Sequence, residues 1–124
     1  MKILTNNPLV RDSDLNKNIE FLSADYMGIL KKSRDYIHSG YRLLSHPLYG
    51  SVKPNETPYR TIILKCDKNL DMDSVMLIEE ALNTATKFSG NFDTPKWPQN
   101  IMEDFQVVDL DIFRNTIQRI EYVI

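Results

Sequence analysis

Residues 59–66 constrain the fold most, because this stretch reads YRTIILKC around an unbroken aliphatic centre. The side chains of Ile62, Ile63 and Leu64 are typical of a β-strand. Neighbouring side chains of a strand point to opposite faces of the sheet, so three consecutive aliphatic residues indicate burial on both faces. The stretch therefore predicts a sheet that lies between two layers of helices.

Shorter segments predict the rest of this layered structure. Strands are expected at residues 2–5, 19–22 and 105–108, an extended segment at 41–44, and a long loop at 89–100 that Trp97 and Phe92 anchor. Because strands alternate with helices, we predict an α/β fold, in which residues 1–124 form one domain with a small, mainly parallel sheet and helices on both faces. Three predicted helices carry apolar stripes, which consist of Tyr26, Leu30, Ser33 and Ile37; of Val75, Ile78, Leu82, Ala85 and Phe88; and of Leu110, Phe113, Ile117, Ile120 and Ile124.

Polar residues at the predicted helix starts fit capping better than catalysis. A side-chain oxygen there accepts a hydrogen bond from a free amide of the first turn, and a carboxylate also suits the helix dipole. Gly40 is expected to end the first long helix, since a left-handed conformation costs glycine nothing sterically. The expected N-caps are Asn7 (with Pro8 at the first helical position), Ser23, Asp71 or Asp73, and Asp109; with Asp111, these aspartates are rejected as catalytic pairs.

The segment of residues 46–60, between two apolar stretches, is the strongest candidate for a functional loop. Pro47, Pro54 and Pro58 restrict its backbone before folding, so it is expected to hold one shape. In α/β sheets, ligands bind beyond the carboxyl ends of strands, which makes the turn after the first strand a second wall. The candidate ligand-binding residues are Asn6, Asn7, His46, Ser51, Lys53, Asn55, Glu56, Thr57 and Arg60.

Two interpretations of this loop stay open. In the first, it binds a small anion or polar metabolite: Lys53 and Arg60 supply charge, and the fork of Arg60 grips a carboxylate or phosphate. Ser51, Asn55 and Thr57 orient the ligand there, and His46 relays a proton. In the second, the loop is a rigid connector whose Asn55 and Thr57 bond their own backbone while Glu56 pairs with a neighbouring cation. Turn chemistry alone accounts for most of the composition, which favours the connector.

No reaction signature identifies catalytic residues, so these stay unknown. The common nucleotide-binding and hydrolase motifs are missing from the sequence, and no cofactor is expected. His38 and His46 have no nearby cysteine or paired carboxylate, so no metal site is expected. Cys66 closes a strand that looks buried and is expected to be a small core residue.

The net charge and the single cysteine limit the partners and the compartment that we expect for this chain. A formal net charge of −2 argues against a domain that neutralises nucleic-acid phosphates, even with Lys31, Lys32, Arg34 and Arg42 in the chain. One cysteine fits a reducing compartment. Without a signal-like N-terminus or a long apolar run, we expect a cytoplasmic protein that binds neither membrane nor nucleic acid.

Two motifs resemble the GrdX family of anaerobic bacteria. They are TNNPLV at residues 5–10 and, within residues 46–59, HPL followed by GSVKPNETPY. The resemblance implies an association with the glycine, sarcosine and betaine reductase systems of amino-acid fermentation, and it carries over no catalytic residue. The first hypothesis is therefore a non-catalytic accessory protein that binds a reductase subunit. The alternative is a binding module, or an enzyme, for a small anionic metabolite that uses the 46–60 loop.

Overall fold

The structure is a computed structural model that describes residues 1–13, 18–48, 57–91 and 96–123, with the backbone alone at 89–91, 122 and 123. Four strands and four helices follow one another along the chain. In order they are β1 (Lys2–Thr5), α1 (Pro8–Arg11), β2 (Asn18–Phe21), α2 (Tyr26–His38), β3 (Tyr41–Leu43), β4 (Thr61–Cys66), α3 (Met72–Asn91) and α4 (Gln99–Val123).

The four strands form one sheet in the order β2-β1-β4-β3. β2 lies parallel to β1, whereas β4 lies antiparallel to both β1 and β3. At one end of the strands, which we call the edge of the sheet, Thr5 at the end of β1 pairs with Phe21 at the end of β2 and with Thr61 at the start of β4. The turns that follow β1 and β2 and the segment that enters β4 therefore meet at this edge.

Each face of the sheet is covered by its own hydrophobic core. Adjacent residues of a strand point to opposite faces, so Ile62 and Ile63 of β4 enter different cores. One core joins β1 and β4 to α2 and α3, and its fully buried members include Leu4, Ile29, Leu30, Ile37, Ile62, Leu64 and Ile78. The other joins β1 and β4 to α1 and α4 through Ile3, Val10, Ile63, Leu110, Phe113 and Ile117.

The predicted α/β fold with helices on both faces is confirmed, but the prediction of a mainly parallel sheet is wrong. The sheet is mixed, because only β1 and β2 run parallel. The chain reverses its direction between β3 and β4, so these neighbouring strands pair antiparallel. The aliphatic centre of β4 shows burial on both faces, which any central strand shares whatever its direction.

The helix α4 replaces two predicted elements. Residues 105–108 were expected to form a strand and Asp109 to cap a helix after it, but both lie inside Gln99–Val123. The run of Phe105, Val107 and Val108 favours a strand locally, and the helix overrides this preference by burying Leu110 and Phe113. The loop expected at 89–100 is wrong at both ends, because α3 continues to Asn91 and α4 begins at Gln99; Phe92, one of its expected anchors, lies outside the described residues.

Local details of the helix ends differ from expectation in part. Asn7 caps α1 as predicted, and Gly40 follows the end of α2 with a φ of 106°. The N-cap of α2 is Asp25, whose carboxylate accepts from the Gly28 amide at 2.8 Å, and the prediction of Ser23 is wrong. Cys66 is exposed, which contradicts a core role, because burial along β4 ends at Leu64 and the last two residues, Lys65 and Cys66, are both exposed.

Candidate functional site

A cluster of buried polar side chains lies at the edge where β1 and β2 end and β4 begins. It joins the turn after β1, the segment that enters β4 and the middle of α4 through hydrogen bonds between residues far apart in sequence. We call this set the edge cluster. Its members are Thr5, Asn6, Asn7, Tyr26, Arg60, Thr61 and Asp109, which are all buried.

Asn6 connects three segments of the chain with one side chain. Its amide nitrogen donates to the carbonyl oxygens of Ala24 at 2.9 Å and Pro58 at 2.8 Å. Its amide oxygen accepts from the backbone N–H of Arg60 at 2.9 Å. A carboxamide has two N–H donors, so both donors of Asn6 are engaged within the chain.

Asn7 connects the same turn to α4. Its amide nitrogen donates to the carbonyl oxygen of Gln106 at 2.9 Å and to Oδ2 of Asp109 at 3.0 Å. Its amide oxygen accepts from the Leu9 N–H at 3.0 Å, which caps α1. The donors of this second carboxamide are therefore also consumed inside the protein.

Asp109 is the buried acid of the edge cluster. Its Oδ2 also accepts from the Thr61 hydroxyl at 2.7 Å. Because that bond uses the single Thr61 proton, Thr5 is the donor in the 2.8 Å bond between the Thr5 and Thr61 hydroxyls. Burial raises the pKa of the Asp109 carboxyl, while hydrogen bonds from Thr61 and Asn7 and the nearby charge of Arg60 oppose the rise. The geometry thus holds a titratable group between β1, β4 and α4.

Arg60 is the buried cation of the edge cluster, and its guanidinium lies against the ring of Tyr26. Only 3% of Arg60 is exposed, and its guanidinium carbon lies 4.9 Å from the centre of the Tyr26 ring, a cation–π distance. Burial raises the pKa of the Tyr26 hydroxyl, and the charge of Arg60 opposes the rise. The edge cluster therefore contains a buried cation and a buried acid that influence each other.

The remaining candidate residues fall into three groups. Thr57 is buried beside this edge, where its hydroxyl accepts from the Tyr59 N–H at 3.3 Å, a bond to its own loop as a connector requires. His46 is exposed, and its Nδ1 accepts from the Leu48 N–H at 3.0 Å. The structure therefore brings Asn6, Asn7, Thr57 and Arg60 to one edge. Four predicted residues, Ser51, Lys53, Asn55 and Glu56, lie outside the described residues.

Sequence reasoning missed Thr5, Tyr26, Thr61 and Asp109 as members of this edge cluster. One signal could have identified Asp109, because it lies four residues before Phe113 and eight before Ile117 on the apolar stripe of α4. A carboxylate on a buried helix face needs partners, which the cluster supplies. The strand predicted at residues 105–108 instead puts Asp109 at the start of a helix, where capping already accounts for a carboxylate.

Two further kinds of feature, metal sites and membrane-spanning helices, concern the part of the chain that the structure describes. There, no group of three or more histidine, cysteine, aspartate or glutamate residues is arranged to hold a metal ion. Among the described helices, none is both long and apolar enough to cross a membrane.

Comparison with protein-family models identifies a family. A family model described as GrdX-like protein matches residues 2–118, which include β1, the edge cluster and most of α4. Neither the comparison with curated proteins nor the comparison with solved structures gives a significant match.

Proposed function

The chain belongs to the GrdX-like protein family, and from this membership we propose that it is a non-catalytic accessory protein of the glycine, sarcosine and betaine reductase system. It binds a reductase subunit and assists the assembly or regulation of that enzyme in amino-acid fermentation. The support comes from the family name and from the resemblance of residues 5–10 and 46–59 to the family's motifs.

One structural observation carries the non-catalytic part of this proposal. The carboxamide donors of Asn6 and Asn7, which belong to the first motif, all bond to other parts of the same chain. Side chains used in this way hold β1, β4 and α4 together and have no donor left for a substrate. A motif that fixes the fold suits a protein that works through its outer surface.

The test is complex formation with purified reductase subunits. The tagged full chain is mixed with each subunit in turn under anaerobic, native conditions, and the masses of the products are measured by size-exclusion chromatography with light scattering. We expect a stoichiometric complex with one subunit. If every subunit elutes separately from the chain, the proposed function is wrong.

A small-anion binding module is the second candidate, because Arg60 places a buried guanidinium at the edge where the 46–60 loop enters β4. Such a fork binds carboxylate or phosphate with two parallel hydrogen bonds. The test is a thermal-shift screen with phosphate, acetyl phosphate, glycine, sarcosine and betaine. A ligand at about 100 times its Kd adds about 2.7 kcal/mol of stability, which is a shift of several degrees.

The matched variant for that screen is Arg60→Lys, which keeps the positive charge but loses the fork. If the loop binds an anion, a ligand shifts the melting temperature of the wild type and has a much smaller effect on Arg60→Lys. A flat response of the wild type across the panel counts against the module.

A further inference from the structure

We propose that the outward face of α3 is the surface that binds the partner, and that the partner presents an amphipathic helix with apolar and basic side chains. This inference rests on the proposed function for the partner's identity, while the chemistry of the surface comes from α3 itself. We call the surface the α3 face; it consists of Leu70, Met72, Asp73, Met76, Leu77 and Glu80.

Exposed apolar side chains are concentrated at the start of α3. Leu70 is 54% exposed, and Met72 and Met76 are each 59% exposed. Met72 and Met76 are four residues apart, so they lie one above the other on the same side of the helix. Exposed apolar side chains that lie close together in this way mark an interaction site more often than scattered single residues do.

The opposite side of α3 is firmly held. Ile78, Leu82 and Ala85 are buried in the core that α3 shares with α2 and the sheet, and Ala81 on the same side is also buried. The α3 face is therefore presented by a fixed helix, which lowers the entropy that a partner must overcome on binding.

The α3 face has a shallow, open depression. A volume of ≈ 390 Å³ is lined by Asp73, Met76, Leu77 and Glu80. Asp73 and Glu80 are both exposed, and neither forms an ion pair with any other residue of the described chain. The spacing 73-76-77-80 puts acid, apolar, apolar and acid on one stripe of the helix.

The exposed methionines and the two carboxylates together indicate which chemistry the partner presents to the α3 face. Methionine side chains are flexible and adapt to apolar partners, and an amphipathic helix would meet such a surface with apolar side chains spaced three or four residues apart. The flanking carboxylates favour lysine or arginine on that helix and disfavour an acidic partner. A second copy of this chain is disfavoured as well, because a two-fold contact would bring Asp73 and Glu80 against the same carboxylates.

The first test uses a synthetic peptide with leucines on one helical face and lysines on the other, and measures its Kd for the full chain by fluorescence anisotropy. We expect wild-type protein to bind it, and Met72→Lys/Met76→Lys to bind it at least about tenfold more weakly. Asp73→Asn/Glu80→Gln should also bind more weakly, with a smaller dependence on salt concentration. A peptide with glutamates in place of the lysines should not bind.

The matched control is Val107→Lys/Val108→Lys on α4. These valines are 48% and 42% exposed and lie between Asp104 and Asp111 with the same spacing, but the described part of α4 has no third exposed apolar side chain to match Leu70. We expect this variant to bind the leucine–lysine peptide as the wild type does. The inference is overturned if the wild type does not bind that peptide, or if Met72→Lys/Met76→Lys binds it equally well.

The second test repeats the mixing with reductase subunits for the same two variants. Loss of the complex in Met72→Lys/Met76→Lys alone supports the α3 face as the partner's site. An undiminished complex in that variant overturns the inference and leaves the proposed function standing. If no subunit binds the wild type, the proposed function fails, and the peptide measurement decides on the surface by itself.

Discussion

At Asp109, burial and hydrogen bonding act on one carboxyl group in opposite directions. Burial disfavours the charged form, whereas Thr61, Asn7 and the charge of Arg60 favour it. The effect of burial is the larger of the two, so the pKa of the Asp109 carboxyl is raised. A folded protein that binds this proton more tightly than the unfolded chain does must lose stability when the proton leaves.

The first prediction concerns Asp109→Asn. The substituted oxygen can accept both bonds that now reach Oδ2, but the side chain no longer titrates. Stability from the raised pKa is fully present below the unfolded pKa and is lost as the pH rises through the folded one. We expect the wild type to lose stability relative to Asp109→Asn over this range, as measured by urea unfolding from about pH 3 to pH 8. Parallel pH profiles of the two proteins would contradict the prediction.

The second prediction concerns Asn6→Ala. The change removes three hydrogen bonds and leaves the buried backbone N–H of Arg60 without its acceptor. Buried groups left unsatisfied cost about 1–3 kcal/mol each, and the costs do not simply add. We expect the free energy of unfolding to fall by at least about 2 kcal/mol in urea titrations. The control is Asn83→Ala on the exposed side of α3, which should change it by no more than about 0.5 kcal/mol.

At the scale of elements, the end of α2 shows how one residue determines a turn. Gly40 has a φ of 106°, and its amide donates to the carbonyl of Ile37 at 3.1 Å. Its carbonyl oxygen accepts from the backbone N–H of Asp67 at 2.8 Å, and this bond joins the turn before β3 to the turn after β4. A Cβ on Gly40 would lie 3.3 Å from the backbone of Lys68.

The third prediction follows from this turn. Gly40→Ala places a side chain in a backbone conformation that L-residues rarely adopt and against backbone that cannot move independently. We expect a loss of about 1–3 kcal/mol in the free energy of unfolding, measured by chemical denaturation. Ser39→Ala, an exposed change in the same turn that removes one hydrogen bond to the Tyr36 carbonyl, should cost less, about 0.5–1 kcal/mol. An equal loss in both variants would show that the turn has no special backbone requirement.

The elements that the sequence predicted well are those whose signals are local. The helices α2 and α3 follow from apolar spacing, and Asn7 with Pro8 marks the start of α1. β4 follows from its aliphatic run. Strand direction and the full length of α4 depend on contacts between distant residues, which no local pattern contains.

The candidate site, too, could be predicted only where its signals are local in the sequence. Asn6 and Asn7 could be located at the end of the first strand, because ligand sites and turns share that position in α/β sheets. Their partners could not, since Asn7 meets Asp109 across 102 residues of sequence. Only the assembled fold shows that the two carboxamides are occupied by the chain itself.

At the scale of the whole molecule, the sheet belongs to both cores at once. β1 sends Leu4 to the core with α2 and α3 and Ile3 to the core with α1 and α4. β4 divides its aliphatic residues in the same way. Neither layer of helices can therefore separate from the sheet without exposing apolar side chains of the two central strands, so the layers should unfold together.

The last prediction tests this coupling and the prediction that residues 1–124 form one domain. Trp97 is the single tryptophan of the chain. The centres of the Trp97 and Phe105 rings are 5.5 Å apart, and Phe105 belongs to α4, so the fluorescence of Trp97 reports on the α4 layer. Leu30 is fully buried in the other layer. Leu30→Ala creates a cavity there and should cost about 2–5 kcal/mol.

If the layers are coupled, Leu30→Ala lowers the urea midpoint of Trp97 fluorescence as much as that of far-ultraviolet circular dichroism. Phe113→Ala, which truncates a buried residue of α4 itself, is the matched variant and should shift both midpoints by a similar amount. A fluorescence midpoint that moves in Phe113→Ala but not in Leu30→Ala would mean that α4 and its core unfold independently. The chain would then consist of two cooperative units, because the strands shared by the two cores would not be enough to transmit the loss.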